Sequence, residues 1–246
     1  MSIVLLLLLS GALLLRAIIS MYPYSGYNTP PMYGDFEAQR HWQEITINLP
    51  AKEWYENTTN NDLMYWGLDY PPLTAYHSKI MGIAARSMNS SYVALYTSRG
   101  LTDYSHKHFM RTTVLLADLF VYLPVLVVAC KAVYEKIWQS TVTDTGFAVI
   151  HVAVALMYPG QILIDNGHFQ YNNISLGLAA AAIAAFLYDR TVIGSILYVC
   201  ALNYKQMELY HALPIFCFLL ARSFRQYSKK KKSWIWSKYY LKLFCS

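Results

Sequence analysis

The chain has 246 residues, of which 56% are hydrophobic and 14% are charged, and its formal net charge is +6. A soluble domain carries about 25% charged residues, so this composition argues against an ordinary soluble domain and favours a membrane protein. Much of the excess positive charge lies in one run, Lys229 to Lys232, beside a hydrophobic segment. Such a run is typical of the cytosolic side of a span. We therefore expect the lipid bilayer, and no nucleic acid, as a partner.

The first hydrophobic run covers residues 3–19 and is interrupted by Ser10 and Arg16. It is long enough to span a bilayer, although a cleaved signal peptide is the alternative interpretation. The run has no basic residues before it and no convincing small-residue cleavage site. These features favour an uncleaved first span over residues 1–20. In either case, the segment that follows lies on the same side of the membrane.

Residues 21–111 are polar and aromatic and contain no clean span, so we predict that they form a long lumenal loop. Two glycosylation sequons start within this loop, at Asn57 and Asn89. A third, at Asn173, starts at a membrane edge and is too close to the bilayer to be used. Single sequons are weak signals. Two of them in the predicted lumenal loop fit a membrane of the secretory pathway.

Hydrophobic runs resume near residues 112–134, 146–164, 173–188, 191–203 and 208–221, and several are short for full spans. They predict a bundle of about five transmembrane segments over residues 112–222, followed by a basic and aromatic cytosolic tail over 223–246. Alternate threading places the basic residues of the short turns on one side, as the positive-inside rule requires: Lys131, Lys136, Arg190, Arg222 and Arg225. We predict an all-α polytopic membrane protein with its long loop between the first two spans.

The loop opens with an acidic motif over residues 34–42, in which Asp35 directly follows Gly34. The composition predicts a helix with Asp35 as its N-cap. One interpretation is a solvated helix stabilised by an ion pair between Glu37 and Arg40. The other makes Asp35 a general base that accepts a proton from a sugar hydroxyl at the membrane surface.

A second motif covers residues 65–77, where Asp69 and Tyr70 precede Pro71 and Pro72. The two prolines restrict the backbone and hold Asp69 at a rigid turn. The motif is either a capped turn with aromatic residues at the interface, or a platform for a sugar with a second acid. The local chemistry leaves these two interpretations open.

The predicted bundle also carries ionisable residues at its lumenal edge. Asp165 and His168 are three residues apart, and Gln170 follows them. They either end a helix at the surface or line a pocket, since ionisable groups at membrane depth usually face a cavity or one another. Lys205 is either the partner of Glu208 in a local salt bridge or a cation for a substrate phosphate.

Four contiguous stretches, residues 34–46, 65–78, 167–172 and 203–211, together closely resemble the dolichyl-phosphate-glucose glucosyltransferases of the endoplasmic reticulum. Within that family the chain is most similar to the branch that adds the first glucose to the nine-mannose lipid-linked oligosaccharide. The resemblance reaches to about Arg222. It implies a GT-C-type glycosyltransferase fold in a multi-pass membrane protein of the endoplasmic reticulum whose catalytic loop is lumenal.

The resemblance also implies the chemistry. The donor is dolichyl phosphate glucose, the acceptor is a dolichyl-pyrophosphate-linked oligosaccharide, and an α-1,3 linkage forms with inversion. Asp35 matches the acid of the first loop and is the expected catalytic base. Residues in the matching motifs are expected to bind substrate: Glu37, Arg40, Asp69, Tyr70, His168, Gln170 and Lys205. The sequence contains no zinc motif and no glycine-rich phosphate loop, so we expect no metal site and no cofactor.

The chain departs from the family in its C-terminal part. Family members are longer and have further spans, so the sequence is expected to be C-terminally truncated. Three alternatives stay open: the glucosyltransferase that adds the second glucose, a catalytically inactive short chain, and a membrane transporter. A transporter would be expected to show broken helices in repeated halves, and the sequence shows no such repeat.

Overall fold

The structure is a computed structural model that describes residues 3–137 and 145–225. The chain divides into two compact units, Met1–Gln206 and Met207–Ser246. The lysine run Lys229 to Lys232 and nearly all of the predicted cytosolic tail lie outside the described residues.

The described part of the chain is built from helices. Numbered in chain order, the α-helices are α1 Ile3–Ser20, α2 Gly34–Asn48, α3 Pro72–Met88, α4 Tyr104–Ala117, α5 Leu123–Lys136, α6 Thr145–Leu156, α7 Pro159–Ile162, α8 Asn172–Leu187 and α9 Thr191–Tyr204. Two π-helical segments, Asp118–Tyr122 and Leu163–Phe169, follow α4 and α7. Short 3₁₀ turns occur at Ala51–Glu53, Ser90–Val93 and Gln206–His211, and residues 212–225 are again helical.

Three helical stretches in the described residues are long and apolar enough to cross a membrane: Ile3–Ser20, Tyr104–Lys136 and Val149–Phe169. Helices α8 and α9 are apolar but shorter, as the sequence predicted. The stretch Tyr104–Lys136 has 33 residues. At about 1.5 Å per residue it exceeds the roughly 30 Å hydrocarbon core, so part of it extends beyond the core. The helix begins at Tyr104, before the hydrophobic run near residue 112, and Asp103 caps its first turn by accepting from the backbone N–H of His106.

Helix α2 is polar in sequence and nevertheless buried from Phe36 to Thr46. Its apolar side packs with the segment that precedes α3, through Trp42, Ile45 and Leu68. Of the two interpretations of this motif, the one that made α2 a solvated helix was therefore wrong about its exposure. The prediction of Asp35 as the N-cap was also wrong, because Tyr33 occupies that position and makes no side-chain cap. Asp35 lies in the first turn of α2.

A buried arginine, Arg16, links α1 to the other helices. Arg16 is 0% exposed, and its guanidinium donates to the carbonyl oxygen of Leu156 at 2.9 Å. Its Nε lies 3.5 Å from a carboxylate oxygen of Asp118, which accepts hydrogen bonds from the side chains of Asn166 and Asn173. A buried ionisable pair thus holds α1 to the segments after α4 and α7.

Candidate active site

Asp35 lies next to two side chains that follow it by more than 130 residues in the sequence. Its Oδ2 is 2.8 Å from His168 Nε2 and 2.5 Å from Gln170 Nε2. The Asp35 side chain is 33% exposed and that of His168 is 44% exposed. The structure therefore brings together three of the predicted site residues, and leaves the carboxylate accessible to a ligand.

Lys205 forms the second part of the site, directly after α9. Its ammonium donates to Asn172 Oδ1 at 2.5 Å and lies 4.5 Å from the centre of the Tyr70 ring. Burial lowers the pKa of Lys205 from its ordinary value, whereas the negative charges of Asp165, Asp35 and Asp69 act in the opposite direction. Those carboxylates favour the charged ammonium.

Asp69 lies at the exposed turn before α3, and its carbonyl oxygen accepts from the side chain of Gln206 at 3.2 Å. Burial raises the pKa of the Asp69 carboxyl, and the charge of Asp35 adds to that rise, while Lys205 opposes it. Burial, with Asp69 and Asp35 nearby, also raises the pKa of Tyr70 to about 12. Asp35, Asp69, Tyr70 and Lys205 therefore influence one another electrostatically.

Glu37 and Arg40 form a separate, buried cluster. The Arg40 guanidinium donates to both carboxylate oxygens of Glu37, at 2.6 and 2.8 Å, and to Glu44 at 2.7 Å. Arg40 is 0% exposed and also donates to the hydroxyl of Ser98. The hydroxyl of Tyr65 donates to Glu37. The predicted pairing of Glu37 with Arg40 is confirmed, but the structure does not bring these two side chains to Asp35.

Asp165 and His168 also separate, although they are three residues apart. Asp165 is 0% exposed and accepts from the Asn172 side chain at 2.8 Å and from the backbone N–H of Asn173 at 2.7 Å. Asp165 therefore accepts hydrogen bonds from the first residues of α8, whereas His168 faces Asp35. Lys205 bonds to Asn172, and within the second unit Glu208 pairs with His211 at 2.8 Å.

Asn172 is a residue of the site that the sequence did not single out. It accepts from Lys205 and donates to Asp165, so it connects the ammonium to the buried acid. Its only signal was its position as the last residue of the motif over residues 167–172. In the part of the chain that the structure describes, no group of three or more His, Cys, Asp or Glu side chains is arranged to hold a metal ion.

An accessible carboxylate held by a histidine and an amide, beside a second acid and a lysine, is suited to moving a proton from a hydroxyl group next to a charged leaving group. Together with the candidate spans, this arrangement defines the class as a helical membrane protein with an accessible carboxylate beside its apolar helices. Residues 7–244 match the model of the ALG6, ALG8 glycosyltransferase family. The chain belongs to this family, and it therefore has the GT-C type of fold that the sequence predicted.

Several curated relatives are similar over most of the chain. The chicken (Gallus gallus) dolichyl pyrophosphate Man9GlcNAc2 alpha-1,3-glucosyltransferase is 52% identical over 220 residues, which are 89% of this chain and 42% of the relative. A protein of Drosophila melanogaster with the same name, marked as probable, is 55% identical over 216 residues, covering 88% and 44%. A probable enzyme of that name from Arabidopsis thaliana is 49% identical over 217 residues, covering 88% and 40%. The chain thus spans less than half the length of these relatives.

Proposed function

We propose that the chain carries the acceptor-activating site of a glucosyltransferase that transfers glucose from dolichyl phosphate glucose to a nine-mannose oligosaccharide on dolichyl pyrophosphate. The names of the chicken and fruit fly relatives support this acceptor and the α-1,3 linkage. We place the protein in the endoplasmic reticulum membrane, with residues 21–111 in the lumen. The exposed sequons at Asn57 and Asn89 support that orientation.

The observation that carries the proposal is the accessible Asp35 carboxylate, held by His168 and Gln170. In the proposed step, Asp35 takes the proton of the acceptor hydroxyl, and the oxygen of that hydroxyl bonds to the anomeric carbon of glucose. The bond from that carbon to the phosphate oxygen breaks, and the phosphate leaves with the electron pair. A single displacement of this kind inverts the anomeric centre. Both substrates carry polyprenyl tails, which fits a site beside the membrane bundle.

Lys205 supports the leaving group in this proposal. A cation near the phosphate stabilises the negative charge that develops as the bond breaks. The described residues around this one ammonium, however, include three carboxylates: Asp35, Asp69 and Asp165. Because these acids also attract the ammonium, we expect a bound phosphate to need further cationic or N–H donor groups. Asp69 and Tyr70 are better suited to the hydroxyl groups and ring faces of a sugar.

The test is complementation of cells that lack the first glucosyltransferase, with the size of the lipid-linked glycan as the readout. Two proteins are compared: this chain, and the chain extended with the C-terminal half of the fruit fly relative. Each is made with Asp35→Asn and with Asp62→Asn as the matched control, because Asp62 is exposed and only caps a turn through the N–H of Met64.

We expect the extended protein to add one glucose, Asp35→Asn to reduce transfer by at least about a hundredfold, and Asp62→Asn to leave it unchanged. The unextended chain shows whether these residues suffice. Full transfer by a well-expressed Asp35→Asn protein would show that Asp35 is not the base. An extended protein that fails in these cells and instead restores transfer in cells that lack the second glucosyltransferase would carry out the second glucosylation step.

A further inference from the structure

Three observations converge on the segment that carries His168 and Gln170. The first is its backbone: Leu163–Phe169 is π-helical, and Phe169 has a φ of 92°. A positive φ is costly for a bulky side chain, and it persists only where the surrounding structure enforces it. This conformation ends the π-helical turn at the point where His168 and Gln170 both reach Asp35.

The second observation is the packing that enforces this conformation. Phe169 is 0% exposed, and its ring centre lies 4.7 Å from that of Phe36, the residue directly after Asp35. Phe36 in turn stacks on Tyr24 at 3.7 Å. The two chain segments that supply Asp35 and its partners are therefore joined by a buried aromatic contact next to the hydrogen bonds.

The third observation is an arginine on α4. Arg111 is 3% exposed, and its two terminal nitrogens donate to the carbonyl oxygens of Asn166 and Gly167, at 2.5 and 2.8 Å. Its guanidinium also lies 5.6 Å from the centre of the Phe169 ring. Arg111 thus holds the backbone immediately before His168 from two points, which a lysine with its single nitrogen cannot reproduce.

We propose that Arg111, His168 and Gln170 are positioning residues that direct one particular oxygen of Asp35, Oδ1, at the acceptor hydroxyl. This inference rests on the proposed role of Asp35 as the base. A carboxylate only accepts hydrogen bonds, so both His168 Nε2 and Gln170 Nε2 donate, and both donate to Oδ2. Among the described residues, no side chain donates a hydrogen bond to Oδ1, so this oxygen is left to take the proton.

The role of Arg111 is indirect. Its contacts fix the carbonyl oxygens of Asn166 and Gly167. Because His168 directly follows them, its side chain is held next to Asp35. The hydrogen bond from His168 then keeps the Asp35 carboxylate from rotating. General base catalysis depends on this alignment, and an ångström-scale misplacement costs about a hundredfold in rate. A residue with this role changes kcat, whereas the affinity for the donor lipid depends on other groups.

The test uses the extended, active protein purified in detergent, with rates expressed per folded molecule. The variants are Arg111→Lys, Gln170→Ala, His168→Ala and His168→Gln. Lys107→Ala is the matched control, because Lys107 lies on the same helix and also donates to a backbone carbonyl, that of Met21, away from the segment 163–170.

We expect Arg111→Lys, Gln170→Ala and His168→Ala each to lower kcat by about tenfold to a hundredfold, with less than about a threefold change in KM for dolichyl phosphate glucose. His168→Gln retains an N–H donor and should recover part of the loss. Lys107→Ala should match the parent protein. A merely structural role would lower the amount of folded protein, with kcat per folded molecule unchanged and no rescue by glutamine.

The outcomes separate this inference from the proposed function. If Asp35→Asn abolishes transfer while the positioning variants keep normal kcat, the orienting role is wrong and the base assignment stands. If Asp35→Asn is active, the base assignment fails first. An experimental structure of the unextended chain checks the geometry without any activity. The inference would be overturned if Gln170 and His168 bonded to different oxygens of Asp35, or if both side chains pointed away from it.

Discussion

At the scale of single residues, the charges of α2 are held by partners inside the protein. Arg40 has no contact with solvent, and burial alone would lower its pKa. Its hydrogen bonds and charge interactions with Glu37 and Glu44 outweigh burial and raise the pKa above the ordinary value. A buried cation with this many partners is a structural element. We therefore interpret Glu37 and Arg40 as supports for α2, and the helix in turn holds Asp35.

The first prediction concerns this buried pair. Arg40→Ala leaves the carboxylates of Glu37 and Glu44 buried without their countercharge, and we expect a loss of about 3–5 kcal/mol in stability. Arg86→Ala is the control. Arg86 is exposed, and its guanidinium donates to Asn48 Oδ1 and to the carbonyl oxygen of Ile47, both in α2. The Arg86→Ala protein should lose less than about 0.5 kcal/mol of stability. Thermal unfolding in detergent measures both, and equal losses would contradict the structural role of Arg40.

At the scale of elements, α2 and α3 approach each other closely at Gly82. A Cβ atom at this position would lie 2.9 Å from the carbonyl oxygen of Gln43, a backbone atom that cannot rotate away. Helix α3 also reaches the end of α9, where the Thr74 hydroxyl donates to the carbonyl of Tyr204 and His77 Nδ1 lies 3.0 Å from the Tyr204 hydroxyl. Helix α3 therefore connects the helix that carries Asp35 to the helix that precedes Lys205.

The second prediction tests the close approach. Alanine is normally favoured over glycine within a helix by about 0.5–1 kcal/mol. Gly82→Ala should instead destabilise the protein by about 1–3 kcal/mol, because α2 and α3 must move apart. Gly11→Ala is the control, since its new methyl group would meet only Met157 Cε at an ordinary 3.5 Å. A stabilising effect of Gly82→Ala in thermal unfolding would show that the two helices are not in close contact.

The third prediction concerns pH and the contact between α3 and α9. Burial lowers the pKa of His77 to about 4 from an ordinary value of 6.5. The unfolded chain therefore binds a proton that the folded protein excludes, so stability is complete above about pH 6.5 and falls as the pH drops toward 4. Between pH 7 and pH 5 we expect His77→Gln to lose less stability than the parent, by on the order of 1 kcal/mol. Identical pH slopes for the two proteins would contradict this expectation.

At the scale of the whole protein, α1 belongs to the bundle. Arg16 of α1 shares Asp118 with Asn166 and Asn173, which lie after α7 and at the start of α8. Removal of α1 would leave the buried Asp118 without its cation and the carbonyl of Leu156 without its donor. The uncleaved first span that the sequence favoured stays a prediction, and the side of the membrane on which residues 21–111 lie is tested separately.

The fourth prediction tests that placement. Asn57 and Asn89 are exposed, whereas Asn173 is 1% exposed and its side chain donates to Asp118. We expect glycans at Asn57 and Asn89, each removed by substitution with glutamine, and no change in glycan number in Asn173→Gln. Gel mobility before and after endoglycosidase treatment measures this. An unglycosylated chain in a host that modifies other secretory proteins would place the loop on the cytosolic side.

The helical class and the family could be predicted from the sequence. Hydropathy is a local property, so the apolar runs near 112–134 and 191–203 coincide with apolar helices, α4–α5 and α9, although α9 is shorter than the candidate spans. The number and positions of the spans stay a prediction. The motif around Asp35 also identified the acid of the candidate site. The motif could not show that α2 is buried, because burial of a polar helix depends on partners such as Ser98 that lie far along the chain.

Only the tertiary structure decided which of the predicted residues share a site. Asp35 and Gln170 are 135 residues apart and meet through one hydrogen bond, whereas Glu37, two residues from Asp35, faces a different cluster. Asp165 and His168 separate because a π-helical turn and the positive φ of Phe169 direct them to different partners. The sequence specifies the chemical type of each side chain. Its direction and its partners follow from the packing of distant segments, which no local pattern contains.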